Sequence, residues 1–140
     1  MPFARDDAAG APKAPATARR IIIVEDDYLI AYEVEAALAE AGYDIVGVAS
    51  SAEEALSIAA AQRPVLALMD IRLAGARDGI DAALELFQKF GIRCVFATAH
   101  QTPEAHLRAE PAKPLAWLPK PYTMDALVLV VRRALSDLRR

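Results

Sequence analysis

Asp70 has the clearest chemical setting in this chain. It closes a run of five apolar residues, Val65-Leu66-Ala67-Leu68-Met69, opened by Pro64. Such a run is too short for a helix and reads as a strand buried on both faces. Asp70 then stands at the strand's carboxyl end, where open α/β sheets bind their ligands. A second run, Ile21-Ile22-Ile23-Val24, also ends in acid, at Glu25-Asp26-Asp27. If the two strands are neighbours, at least three carboxylates meet in one pocket. Like charges so close need a cation, or one of them must hold a proton. Hard oxygen donors with room for water suit Mg²⁺. Thr98 follows the apolar run Cys94-Val95-Phe96-Ala97, and Lys120 follows Leu115-Ala116-Trp117-Leu118-Pro119. Each of these groups taken alone has a bland reading as a solvated or turn residue. Together they mark the ends of four different strands.

The elements that must position them alternate along the chain. Strands are predicted at 21–24, 43–49, 65–69, 93–97 and 115–118. Helices are predicted at about 29–40, 52–61, 80–90, a short segment after Thr102-Pro103, and 124–138. Leu29, Ile30, Val34, Ala37 and Leu38 form the apolar face of the first helix. Asp27 suits its N-cap and Gly42 its end. Ser51-Ala52-Glu53-Glu54 reads as a capping box for the second. Ile80, Ala83, Leu84 and Phe87 point inward from the third. Thr102 and Pro103 suit N-cap and first helical residue of the fourth, which Pro111 and Pro114 limit to roughly two turns. Leu127, Val128, Val131, Leu135 and Leu138 face inward from the fifth. Asp78-Gly79 is a turn signal. Strands alternating with helices imply a parallel sheet covered on both faces, an α/β doubly wound fold. Right-handed crossovers favour the flavodoxin-like strand order 2-1-3-4-5, a (βα)5 arrangement that gathers all four strand ends at one crevice.

Composition sets bounds. The chain has 140 residues, 55% of them hydrophobic and 25% charged, which suits one globular domain. Residues 1–19 are rich in Ala and Pro and read as a flexible arm, leaving 20–140 as the domain. A net charge of −3 gives no general affinity for nucleic acid. No apolar run approaches a membrane span, and no signal-peptide core opens the chain. The lone cysteine, Cys94, lies in an apolar run and reads as a buried thiol in a reducing compartment. The expectation is a cytoplasmic protein without membrane or nucleic-acid partners.

The strings Ile-Val-Glu-Asp-Asp (23–27), Leu-Met-Asp-Ile-Arg-Leu (68–73), Asp-Gly (78–79), Ala-Thr-Ala (97–99) and Leu-Pro-Lys-Pro-Tyr (118–122) resemble the receiver domain of bacterial two-component response regulators. The resemblance runs from Arg20 to about Arg140. It implies that Asp70 accepts a phosphoryl group from a histidine kinase or phosphotransfer protein. It implies that Asp26, Asp70 and the backbone carbonyl of Arg72 ligate Mg²⁺, with Glu25 acting mainly through a bound water. Lys120, the Thr98 hydroxyl and the Ala99 amide would serve the phosphoryl oxygens. Lys120-Pro121 would be a cis bond, which X-Pro sequences tolerate. Thr98 and Trp117 match the family's switch positions, where an aromatic residue fills the space a moving Thr98 leaves. Trp117 has plain packing as its alternative.

The chain also departs from the common pattern. The loop after Asp70 looks one residue longer, with Ala74-Gly75 in place of Pro-Gly. Phe96-Ala97-Thr98 resembles a subgroup of stand-alone receivers bearing Phe-Ala-Thr-Gly, with Ala99 in place of the Gly. His100 and Arg72 flank the site as candidates for tuning dephosphorylation, or as solvated residues. His106 reads as a surface residue. With no output domain after the last helix, the expected output is contact with an unknown downstream protein, or a phosphate shuttle or sink. The helix-four, strand-five, helix-five face is the expected signalling surface and the expected homodimer contact. Two rivals stand beside this reading. An Mg²⁺-dependent phosphohydrolase of the haloacid-dehalogenase kind would use Asp70 as nucleophile, but Arg72 occupies the position of its acid. A pseudo-receiver would fold without being phosphorylated. A P-loop nucleotide binder lacks its glycine-lysine loop.

Overall fold

The computed structural model describes residues 16–99 and 101–139. Ten elements alternate: β1 (Arg20–Val24), α1 (Tyr28–Glu40), β2 (Asp44–Ala49), α2 (Ala52–Gln62), β3 (Leu66–Met69), α3 (Gly79–Phe90), β4 (Arg93–Thr98), α4 (Pro103–Ala109), β5 (Ala116–Pro119) and α5 (Met124–Leu138). A 3-10 turn, Ala16–Arg19, leads into β1, and another, Glu110–Ala112, follows α4. The remainder of the expected arm, residues 1–15, lies outside the described residues. The sheet is parallel with order β2-β1-β3-β4-β5, as the alternation predicts.

Side chains alternate across this sheet and build two cores. Ile22, Val24, Ala67, Met69, Cys94 and Phe96 face α2, α3 and α4. Ile21, Ile23, Leu66, Leu68, Val95 and Ala97 face α1 and α5. Because β1 and β3 are covered on both sides, they carry unbroken apolar runs and can end abruptly in acid. The Cys94 thiol is buried, and burial pushes its pKa far above the usual thiol range.

Helix starts follow from local chemistry. Asp27 caps α1, accepting from the Leu29 and Ile30 amides at 3.0 and 3.2 Å. Thr102 caps α4 with Pro103 inside it, as expected. α4 spans seven residues before the chain tightens into the Pro111 turn.

Several sequence expectations are corrected. Leu29 does not join the buried face of α1; it is 77% exposed, and Ala31 is buried instead. Leu29 lies nearly half a turn around the helix from the buried Val34 and Leu38, which turns it outward. The capping box at α2 is half formed. Ser51 Oγ accepts from the Glu54 amide, but the Glu54 carboxylate reaches back to the Ser50 amide at 2.7 Å. The reciprocal box opens α3, between Asp78 and Asp81. Asp78-Gly79 is therefore a helix start rather than a free turn. Gly79 is required there by close approach, since a Cβ would fall 1.8 Å from the Asp70 carbonyl oxygen.

Candidate functional site: an acidic crevice at the strand ends

Backbone pairing positions the acids. Asp70 N donates to Val24 O at 3.0 Å, and Glu25 N to Ala49 O at 2.8 Å. The ends of β2, β1 and β3 are thereby locked in line. Glu25, Asp26 and Asp70 each offer a carboxylate oxygen, and these lie within 4.8 Å of one another. Glu25 and Asp70 are buried, and Asp26 is exposed. Asp27 is engaged in its cap and stands outside this cluster.

Lys120 crosses from the end of β5 to neutralise the pair beneath it. Its Nζ donates to Glu25 Oε1 at 2.9 Å and to Asp70 Oδ2 at 3.2 Å. The Lys120 amide donates to Thr98 O at 3.1 Å, and the Lys120-Pro121 bond is cis. Burial disfavours the ammonium, but hydrogen bonding to Glu25 and the charge of Asp70 outweigh it and raise the Lys120 pKa. Burial pushes the Glu25 carboxyl up, against the hydrogen bonds from Lys120 and the Asp27 amide; the Asp70 charge adds to the rise. The donor set is three carboxylates, one of them open to solvent. That fits a hard divalent ion that keeps part of its water, as Mg²⁺ does.

Thr98 ends β4 and is fully buried, with Ala99 exposed just beyond it. Arg72 is exposed on the loop after Asp70. That loop is pinned to its neighbours. Ala74 N donates to Ser50 O at 3.0 Å, and Arg77 pairs with Glu53 of α2 and Glu85 of α3. Trp117 is paired with Phe96 across β4 and β5 and stacks on it at 4.5 Å. Its other face carries His106, with ring centroids 3.8 Å apart. His106 is thus more than the surface residue its sequence context suggests. His100 lies outside the described residues.

Sequence reasoning missed three groups. Tyr122 packs beneath the crevice, where burial raises its hydroxyl pKa. Arg108 of α4 reaches Asp78 and Asp81 at the start of α3. Tyr28 and Tyr32 are 86% and 73% exposed beside Leu29 at the start of α1. The four-residue spacing of the two tyrosines was a visible signal for one helix face. Tyr122 closes the Leu-Pro-Lys-Pro-Tyr string without a role assigned to it there, and nothing local marks Arg108.

A doubly wound sheet with acids, a threonine and a lysine at its carboxyl edge defines the class of site. Residues 21–132 match the family model of the response regulator receiver domain, and the chain belongs to that family. It is 37% identical to the transcriptional regulatory protein PdtaR of Mycobacterium tuberculosis over 124 residues, covering 89% of this chain and 60% of that protein. It is also 37% identical to the phyllosphere-induced regulator PhyR of Methylorubrum extorquens over 130 residues, covering 92% and 48%. The chain thus spans about half to three-fifths of these curated relatives. Among solved structures, the signal receiver domain of a modulated diguanylate cyclase from Desulfovibrio desulfuricans superposes with a TM-score of 0.77 at 36% identity, covering 84% of this chain and 94% of that one. The receiver domain of PhyR from Erythrobacter litoralis gives 0.74 at 30% identity, covering 84% and 90%. Among the described residues no helix is long and apolar enough to cross a membrane.

Proposed function

We propose that Asp70 accepts a phosphoryl group from the phosphohistidine of a kinase or phosphotransfer protein, in an Mg²⁺-dependent reaction. The observation that carries this reading is Lys120 seated on Asp70 and Glu25, with Asp26 completing the acidic cluster. An Asp70 carboxylate oxygen attacks phosphorus, the phosphorus–nitrogen bond to the donor imidazole breaks, and the imidazole leaves with the bonding pair. Asp26, Asp70 and the carbonyl of Arg72 would hold Mg²⁺, with Glu25 acting through water. The ion supplies charge neutralisation between nucleophile and phosphoryl oxygens. Lys120 pairs with one phosphoryl oxygen; the Thr98 hydroxyl and the Ala99 amide donate to another. Phosphorylation adds about −1.5 to −2 charges at this point, and Thr98 and Trp117 carry the change outward.

The exposed Tyr28, Leu29 and Tyr32 lie at the start of α1, just after Asp26 in the chain, and would give the phosphodonor an apolar landing surface. The output is contact with a downstream protein, or service as a phosphate shuttle or sink. A cytoplasmic location and the division into an arm at 1–19 and a receiver at 20–140 belong to the same reading. The phosphohydrolase alternative lacks support, since Arg72 and not an acid stands two positions after Asp70.

The test is incubation with Mg²⁺ and acetyl phosphate. Acid-labile label should appear on the native chain and be lost in Asp70→Asn, with the fold retained. Undiminished labelling of that variant would remove Asp70 from the mechanism.

A further inference from the structure

α4 is the least anchored helix of the domain. Of its seven residues only Ala109 is fully buried, and Leu107 is 71% exposed. Beyond the packing of Ala105 and Ala109, two polar side chains among the described residues tie it to other elements. His106 stacks on Trp117. Arg108 Nη2 donates to Asp78 Oδ1 at 2.7 Å and to Asp81 Oδ1 at 3.1 Å.

The second tie ends at the phosphoacceptor. Asp78 and Asp81 are the two halves of the capping box that starts α3, and each bonds the other's amide. Two carboxylates so arranged repel each other, and Arg108 supplies their shared counterion. The next residue, Gly79, presses on the Asp70 carbonyl so closely that no Cβ fits. The Gly79 amide donates to Ile71 O at 2.7 Å. Between Arg108 and the backbone of Asp70 there is no slack element, only a cap, one glycine and a short hydrogen bond.

We infer that Arg108 is a positioning residue: it latches α4 to the phosphoacceptor backbone through Asp78 and Gly79, and it favours the resting arrangement. The inference rests on the phosphoacceptor reading. It adds a route between site and signalling face that uses neither Thr98 nor Trp117. Coupling of this kind is reciprocal. Releasing the latch frees α4, and it also makes the site easier to load. The tie is partly exposed, so the expected coupling is about two- to fivefold in affinity.

The experiment compares the native chain with Arg108→Ala, Arg108→Lys, Asp78→Asn and the Arg108→Ala/Asp78→Asn double variant. Asn keeps the cap of α3 while removing the charge that Arg108 meets. Affinity for beryllium fluoride with Mg²⁺ is read by calorimetry, and backbone hydrogen exchange is read without ligand. Arg108→Ala and Asp78→Asn should each tighten beryllium fluoride binding about two- to fivefold. The double variant should gain no more than either alone, and Arg108→Lys should recover part of the native value. Both single variants should raise exchange in Pro103–Ala109 and at Gly79. Native affinity in both variants, or additive effects in the double variant, overturns the latch. If the native chain takes up no beryllium fluoride, the phosphoacceptor reading fails instead. The exchange data then decide the latch, and unchanged protection at Gly79 in Arg108→Ala overturns it.

Discussion

Lys120 is the fixed cation of the acidic crevice. Glu25 and Asp70 are both buried beneath it, so removing the ammonium leaves two carboxylates facing each other. Lys120→Ala should lower stability at neutral pH by about 2–3 kcal/mol. Mg²⁺ should restore more of that loss than it adds to the native chain. A urea titration with and without Mg²⁺ measures both, and equal Mg²⁺ effects in the two proteins would refute this account. The pKa of Lys120 is raised on folding, so its contribution is complete below the ordinary lysine value of 10.5 and is lost as pH climbs through the higher folded value. Gly79 is a second residue whose identity is forced. Gly79→Ala drives a methyl group into the Asp70 carbonyl and should cost about 3 kcal/mol. Because the strain falls on the backbone of Asp70, the proposed phosphoacceptor, acetyl phosphate labelling should fall with it. A variant as stable as the native chain would mean the contact relaxes freely.

At the scale of elements, α4 is where few contacts decide position. A helix of two turns with one buried residue opens locally at small free energy. Beryllium fluoride with Mg²⁺ should therefore change hydrogen exchange most between residues 98 and 121, and little in α2. A dominant change in α1 and α2 would mean the signalling face lies elsewhere. Trp117→Ala removes the ring between Phe96 and His106. It should leave labelling of Asp70 largely intact while weakening the response of α4. The tie to α3 has its own acid limit. Burial raises the Asp78 carboxyl, but the Arg108 hydrogen bond and the Asp81 amide outweigh it and hold the pKa below 3.8. Its contribution is present above pH 3.8 and disappears as pH falls through the lower folded value. The stability difference between the native chain and Arg108→Ala should shrink over that acid range in a series of urea melts.

The whole molecule offers two kinds of surface around one crevice. At the start of α1, which follows Asp26 in the chain, Tyr28, Leu29 and Tyr32 are exposed. Leu29→Ser with Tyr32→Ser should slow phosphoryl transfer from a protein donor about tenfold, yet leave labelling by acetyl phosphate unchanged. The small donor needs no docking surface. Equal loss with both donors would place the effect in the crevice itself. On the other side, α4, β5 and α5 form the surface proposed for the downstream partner and for self-association. Sedimentation with and without beryllium fluoride tests the second of these. A phosphoryl-dependent mass increase supports it, and an unchanged mass removes it.

The fold was legible because its central strands β1, β3 and β4 are buried on both faces. Apolar runs closed by acid, threonine or lysine reveal both the strand and its carboxyl end, and parallel pairing then leaves one edge at which Glu25, Asp26, Asp70, Thr98 and Lys120 can gather. Caps were legible where side chain and amide are three residues apart, as at Asp27 and Thr102. Contacts between distant elements were not. Leu29 is apolar yet faces solvent, because it lies nearly half a turn around α1 from the buried Val34 and Leu38. Glu54 obeys the capping-box spacing yet bonds Ser50, because the β2–α2 corner brings that amide closer. Gly79 reads as a turn until Asp70's carbonyl is seen against it. Arg108 and His106 lie on a short polar helix, and only the packing of α4 between α3 and β5 gives them Asp78 and Trp117. Local patterns encode burial and direction; charge pairs and ring stacks across 11 to 30 residues depend on where the sheet sets each helix down.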